Sequence, residues 1–145
     1  MMARGKADFK ARRERLGLTQ QDIANALNAN LKTVKNWENP RQTRYRISDT
    51  AWEYFDRATD IQSQQVAYAR SIVESHRLEF GEGPIVMPIT YYRDQSTYDR
   101  FGRDAGPYGQ ANATSRAIAR ELERMGIQVE FRYPDDETAP LDSVR

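Results

Sequence analysis

The chain has 145 residues, of which 39% are hydrophobic and 30% charged, with no cysteine and a net charge of +1. That length suits one ordinary domain or two small ones. Without cysteine there are no disulfides, no thiolate chemistry and no Cys-based metal site, and no apolar run approaches the length of a membrane span. The N-terminal stretch is basic but lacks the apolar segment of a signal peptide, so a cytoplasmic location is expected. Charge is unevenly spread: residues 1–46 hold eleven Lys or Arg and four Asp or Glu, whereas residues 47–145 hold eleven Arg and seventeen acids. A cationic head on an acidic body fits a nucleic-acid-binding unit joined to one that does not bind nucleic acid. It also fits plain unevenness of surface charge.

In chain order, Asp8 is placed to cap a first helix from Phe9 to about Leu16, with Gly17 ending it. Thr19 is a good N-cap for a second helix, and Asp22 brings a carboxylate to its first turn. Ile23, Ala24 and Leu27 share one face of that helix. Asn28-Ala29-Asn30 reads as a tight turn: Asn28 tolerates the left-handed conformation, and Asn30 caps a third helix. On the third helix Val34 and Trp37 point inward. Lys32 and Asn36 lie about 160° round from Val34 at 100° per residue, with Lys35 flanking them and Leu31 on the other edge.

The stretch Thr19–Asn39 resembles the helix-turn-helix of the phage Cro and C1 repressor family, also called the XRE family. Thr19, Gln20, Ile23, Ala24, Leu27, Thr33, Val34, Trp37, Glu38 and Asn39 match its pattern without a gap, and the resemblance covers about 50 residues. It implies that Asn30, Leu31, Lys32, Lys35 and Asn36, on helix 31–38, face the major groove of DNA. It further implies that Gln20 contacts a phosphate and that Arg13 pairs with Glu38 to tie the first helix to the third. Two positions depart from the pattern. Asn28 replaces the usual turn glycine. Leu31 stands where a polar base reader is common, and leucine offers only contact with a thymine methyl or a place in the core.

Beyond the motif, Arg41, Arg44 and Arg46 suit phosphate contacts, which position a protein without reading sequence; the alternative is a solvated basic loop. Arg4 and Lys6 in the N-terminal arm are further candidates for backbone contact. Ser48 then caps a helix starting at Asp49, whose Ala51, Trp52 and Phe55 close the first core. Thr59-Asp60-Ile61-Gln62 has capping-box spacing, so the helix either restarts there or runs through. Trp52, Phe55, Thr59, Gln62, Val66, Ala69, Val73, His76 and Phe80 form a heptad-like seam weakened by its polar members. His76, the single histidine, reads as a surface or packing residue.

Gly81 to Pro84 ends that helix. Ile85–Tyr92 reads as a strand, at an edge or broken because of Pro88. Asp94 caps a short helix from Gln95 to Phe101. Gly102–Gly109 is a connection that lacks any phosphate-binding fingerprint. A longer helix runs from about Gln110 to Met125, ended by Gly126, and Ile127–Tyr133 alternates as a strand.

The expected fold is therefore α+β. Residues 1–58 form an all-α unit of four to five helices, residues 59–80 a connecting helix, residues 81–133 a small strand–helix–helix–strand unit, and residues 134–145 a disordered acidic tail. Two strands make a marginal sheet alone, so pairing with a second copy through residues 85–133 is expected. The layout also resembles, more weakly, some anti-CRISPR-associated autorepressors. The leading functional expectation is a homodimeric, sequence-specific DNA-binding regulator, a repressor reading an inverted repeat. The alternative is an antitoxin-type or other partner-binding protein whose head autoregulates its operon. No enzyme activity, metal or cofactor is expected. A small-molecule pocket around Tyr91, Tyr92, Tyr98 and Tyr108, with Arg93 and Asp94, is a third reading.

Overall fold

A computed structural model of the chain describes residues 4–136. Its order is α1 (Lys6–Arg15), α2 (Gln20–Leu27), α3 (Leu31–Glu38), α4 (Asp49–Phe80), β1 (Val86–Thr90), α5 (Gln95–Phe101), α6 (Tyr108–Arg124) and β2 (Gln128–Arg132). The chain divides into two compact units, Met1–Asp60 and Ile61–Arg145, and the division falls within α4.

In the first unit α1 begins earlier than expected. Gly5, not Asp8, is its N-cap, and Asp8 lies in the first turn, where its carboxylate accepts from Arg12 at 3.1 Å. A carboxylate there also faces the positive end of the helix dipole. Phe9 is fully buried, and its ring meets Trp37, Trp52 and Phe55 at centroid distances of 5.7, 5.6 and 4.6 Å. Leu16, Leu18, Ile23, Ala24, Val34, Ile47, Ala51 and Ala58 complete this core. Thr19 and Asp22 form a reciprocal capping box at the start of α2. Asn28 adopts φ 52° and ψ 42°, and Ala29 N–H reaches back to Ala24 O at 2.8 Å. This closes the end of α2 as left-handed caps do, by returning amides to orphan carbonyls. Two residues later the Asn30 side chain accepts from Lys32 N–H at 3.2 Å and starts α3. The turn between the two helices is thus fixed by local chemistry at both ends.

Helix α4 starts under Ser48, whose Oγ accepts from Ala51 N–H at 3.2 Å. It then runs unbroken for 32 residues, with no second start at Thr59. The seam read from its sequence packs inward as far as Val73. His76 and Phe80 are exposed, so the seam ends about two turns before the helix does.

In the second unit β1 and β2 pair in parallel, with Val86 opposite Gln128 and Thr90 opposite Arg132. A parallel pair needs a long crossover, here supplied by α5 and α6. Pro88 does not break β1; it sits opposite Glu130 within the pairing. Ile89 and Ile127 face a small core with Val73, Ala119 and Leu122, bordered by Ile85, Met87 and Val129. Asp94 caps α5 by accepting from Thr97 N–H at 2.8 Å. Gly102 follows α5 because a Cβ there would lie 2.5 Å from the Tyr98 carbonyl oxygen. The loop to α6 is clamped by Gln95, which donates to Gly106 O at 3.1 Å and accepts from Tyr108 N–H at 3.0 Å. Gly126, at φ 82°, turns the chain from α6 into β2. Of the segment read as a tail, residues 137–145 lie outside the described residues, while Asp135 accepts from both terminal nitrogens of Arg93, at 3.1 and 2.8 Å. No helix among the described residues is long and apolar enough to cross a membrane.

Candidate nucleic-acid interface

Helix α3 is fastened on one side and open on the other. Val34 and Trp37 are buried, Lys32 and Lys35 are exposed, and Asn36 is half-buried between these faces. Leu31 is half-buried and packs against the core, so only its edge reaches solvent. Asn30 is exposed, but its side-chain oxygen is committed to capping α3.

Three attachments hold this helix. Arg13 donates to Glu38 through Nε at 2.6 Å and Nη2 at 3.0 Å, and its Nη1 donates to Leu18 O at 2.8 Å. Both side chains are nearly buried, at 11% and 5% exposure. A forked, shielded pair of this kind fixes orientation, and removing one partner strands the other charge. Gln20 joins it, donating its amide to Glu38 Oε1 at 3.3 Å, so the side chain implied as a phosphate contact is partly spent inside the unit. Lys6 supplies the third attachment. Its Nζ donates to the carbonyls of Asn36, Trp37 and Tyr45 at 2.7, 3.3 and 3.0 Å. A cation at the end of a helix satisfies orphan carbonyls and opposes the negative end of the dipole.

The cations of the N-terminal arm are therefore engaged within the unit. Besides Lys6, Arg4 forms a fork with Asp56 at 2.9 and 3.1 Å and lies over the Trp52 ring at 5.0 Å. The Arg4 hydrogen bond holds the Asp56 carboxyl below its usual range. The use of Arg4 and Lys6 in bonds within the unit was not legible in the sequence, because their acceptors lie some thirty to fifty positions away.

The remaining cations of this unit sort into two sets. Lys10 and Arg12 sit one helical turn from carboxylates on α1, at 3.4 and 3.1 Å. The side chains of Lys32, Lys35, Arg41, Arg44 and Arg46, and also those of Arg15 at the end of α1 and Arg57 on α4, are exposed and have no acidic or hydrogen-bonding partner among the described residues. The loop that carries the three arginines is ordered by its own turns. Gln42 N–H reaches Asn39 O at 3.1 Å, Tyr45 N–H reaches Gln42 O at 3.2 Å, and Arg41 N–H reaches the Asn39 side chain at 3.0 Å. Unpaired cations on α3 and on the segment that follows it make a surface that can attract a polyanion without first breaking internal pairs.

The tyrosine region of the second unit is otherwise employed. Tyr98 donates its hydroxyl to Asp104 at 2.6 Å, and its ring meets Tyr92 edge-on at 4.7 Å. Burial, then the Asp104 bond, pushes the Tyr98 phenol up. The Tyr91 hydroxyl accepts from Arg116 at 2.8 Å. Asp94 is held below the usual carboxylate range by hydrogen bonds from the Thr97 hydroxyl and amide. These groups brace one another and the α5 cap. Among the described residues no three His, Asp or Glu side chains group as a metal site. No protein-family model matches the chain, and no curated protein matches it.

Proposed function

We infer that the protein is a homodimeric, sequence-specific DNA-binding regulator. In this reading α2 and α3 act as a helix-turn-helix, with α3 entering the major groove. The observation that carries the reading is the placement of cations: Arg4, Lys6, Lys10, Arg12 and Arg13 are engaged within the unit, while Lys32, Lys35, Arg41, Arg44 and Arg46 cluster, exposed, on one anchored helix and the segment after it, with Arg15 and Arg57 as further exposed cations elsewhere. Lys32, Lys35 and Asn36 supply base contacts, and Leu31 offers its exposed edge to a thymine methyl. Arg41, Arg44 and Arg46 supply phosphate contacts and hence salt-dependent affinity. Residues 85–133 pair two copies, so that two α3 helices read an inverted repeat with half-sites one helical turn apart.

Selection from a random DNA library with the purified protein tests this reading. It expects a palindromic motif whose half-sites are spaced by about ten base pairs. Given that motif, Lys32→Ala is expected to cost about 1–3 kcal/mol on the selected site and much less on random DNA, measured by titration at fixed salt. An equal loss on both would make Lys32 a backbone contact. Recovery of no motif at all, together with a stoichiometric protein partner in native purification, would favour the partner-binding alternative.

A further inference from the structure

The two edges of the small sheet are not alike. Gln128 N–H bonds Ile85 O at 3.1 Å, and Tyr91 N–H bonds Arg132 O at 2.8 Å. Backbone groups alternate sides along a strand. The odd-numbered residues of β1 therefore turn their amides and carbonyls to β2, and the even-numbered residues turn theirs to the outer edge. On β2 the assignment is reversed, so that Val129 and Phe131 face outward.

The outer edge of β1 is closed by side chains. Pro88 has no amide to offer at its centre. The Thr90 carbonyl accepts from Ser115 Oγ at 2.9 Å. Just beyond the strand, both backbone groups of Tyr92 are taken by the side chain of Asn112. Its Oδ1 accepts from Tyr92 N–H and its Nδ2 donates to Tyr92 O, both at 2.8 Å. Asn112 is 4% exposed, and its amide satisfies the backbone as a neighbouring strand would. Among the described residues the outer edge of β2 has no such cover. The outward backbone groups of Val129 and Phe131 have no partner among the described residues. Phe131 and Tyr133, beside them, are 46% and 43% exposed.

Resting on the dimeric reading above, we propose that a second copy of the chain pairs with this edge, β2 against β2 in antiparallel, with the two-fold axis at Phe131. The same edge meeting itself across a two-fold must run antiparallel. Because only odd-numbered residues face outward, three registers are available within the strand. An axis at Glu130 sets Glu130 directly against its own copy, which is unfavourable. An axis at Val129 sets Arg132 against Gly126, Phe131 against Ile127 and Glu130 against Gln128, which makes no opposite-charge pair across the interface. An axis at Phe131 sets Phe131 against Phe131, Val129 against Tyr133, and Glu130 against Arg132 twice. Glu130 and Arg132 already bond within one strand at 3.0 Å. Two copies in this register alternate acid and base around the axis. The result is a four-stranded sheet whose outermost edges are those sealed by Pro88 and by the Ser115 and Asn112 contacts.

The chain has no cysteine, so single substitutions report the register directly. A residue cross-links to its own copy only when the axis passes through it. Under mild oxidation of the full-length protein, Phe131→Cys is expected to give a disulfide-linked dimer, while Val129→Cys and Glu130→Cys are not. Independently of that truncated ring, Glu130→Arg and Arg132→Glu are each expected to weaken the dimer about tenfold by sedimentation, and the double exchange to restore it. A wild-type protein that is monomeric at micromolar concentration overturns the dimeric reading and this proposal together. A stable dimer that lacks the Phe131→Cys cross-link and ignores both charge reversals overturns the β2 edge alone. Cross-linking at position 129 or 130 instead overturns the register.

Discussion

Eleven buried residues form one connected core in the first unit, and three of them, Phe9, Trp37 and Phe55, are aromatic. The core cluster of the second unit has five buried residues and no aromatic among them, although that unit is the longer. Its two buried polar side chains, Thr97 and Asn112, are both hydrogen-bonded. The first unit is held by apolar packing with a few shielded charges. The second is held by a thin apolar layer and a set of side chains that satisfy backbone groups in loops and at a strand edge. The contrast leads to the expectation that the first unit stands better alone. Burial of large side chains stabilises without directional demands, whereas a hydrogen-bond clamp gives little net stability and is costly to leave half-made.

Three perturbations break or sharpen this contrast. The largest effect is expected from Phe9→Ala, which empties the centre of the aromatic cluster and costs about 3–5 kcal/mol. Both tryptophans of the chain, Trp37 and Trp52, lie in the first unit. Their fluorescence in a urea titration therefore reads this loss, while amide exchange in β1 and β2 stays as in the wild type.

Asn112→Ala acts on the other unit. It leaves the amide and carbonyl of Tyr92 without their shared partner, at a cost of about 1–3 kcal/mol. Exchange at β1 and its neighbours should accelerate while the tryptophan transition stays where it was. A matched loss in both signals would mean that the two units unfold as one and that the contrast is not energetic.

The smallest effect is expected from acid. Asp94, Asp104 and Asp135 in the second unit all titrate below the ordinary 3.8 in the folded chain. Asp94 is held by the Thr97 hydroxyl and amide, Asp104 first by the Tyr98 hydroxyl, and Asp135 first by Arg93. In the first unit Asp56 is lowered too, first through the Arg4 hydrogen bond. A depressed folded value stabilises the fold above the unfolded value, and that contribution is lost as pH falls through the folded value. Lowering the pH from 5 towards 3 should therefore lower the melting temperature of the second unit ahead of that of the first.

Much of the first unit was legible because its determinants are local. The Thr19–Asp22 capping box, the left-handed Asn28 and the Asn30 cap each involve partners within about five residues, so spacing alone carries them. The polar face of α3 follows from helical periodicity in the same way. Arg13 and Glu38 were paired only through the family resemblance, since nothing in a spacing of 25 positions predicts contact. The start of α1 was misplaced because Asp8 is a good cap by type, yet the arm folds back through Arg4 and Lys6 and lets the helix begin at Lys6. Continuity of α4 through Thr59 likewise overrode a local capping signal.

The sequence by itself determined the helices, the N-caps of α2, α3, α4 and α5, the two strands and the cationic stretch from Lys32 to Arg46, because each rests on residue type and short-range periodicity. Tertiary structure alone decided that the strands run parallel, that Lys6 and Arg4 are engaged within the first unit, and that Asn112 closes one sheet edge while, among the described residues, nothing closes the other along β2. Those outcomes depend on backbone groups and side chains brought together from distant positions, and the cost of leaving a buried polar group unpaired selects among them only once the chain has closed.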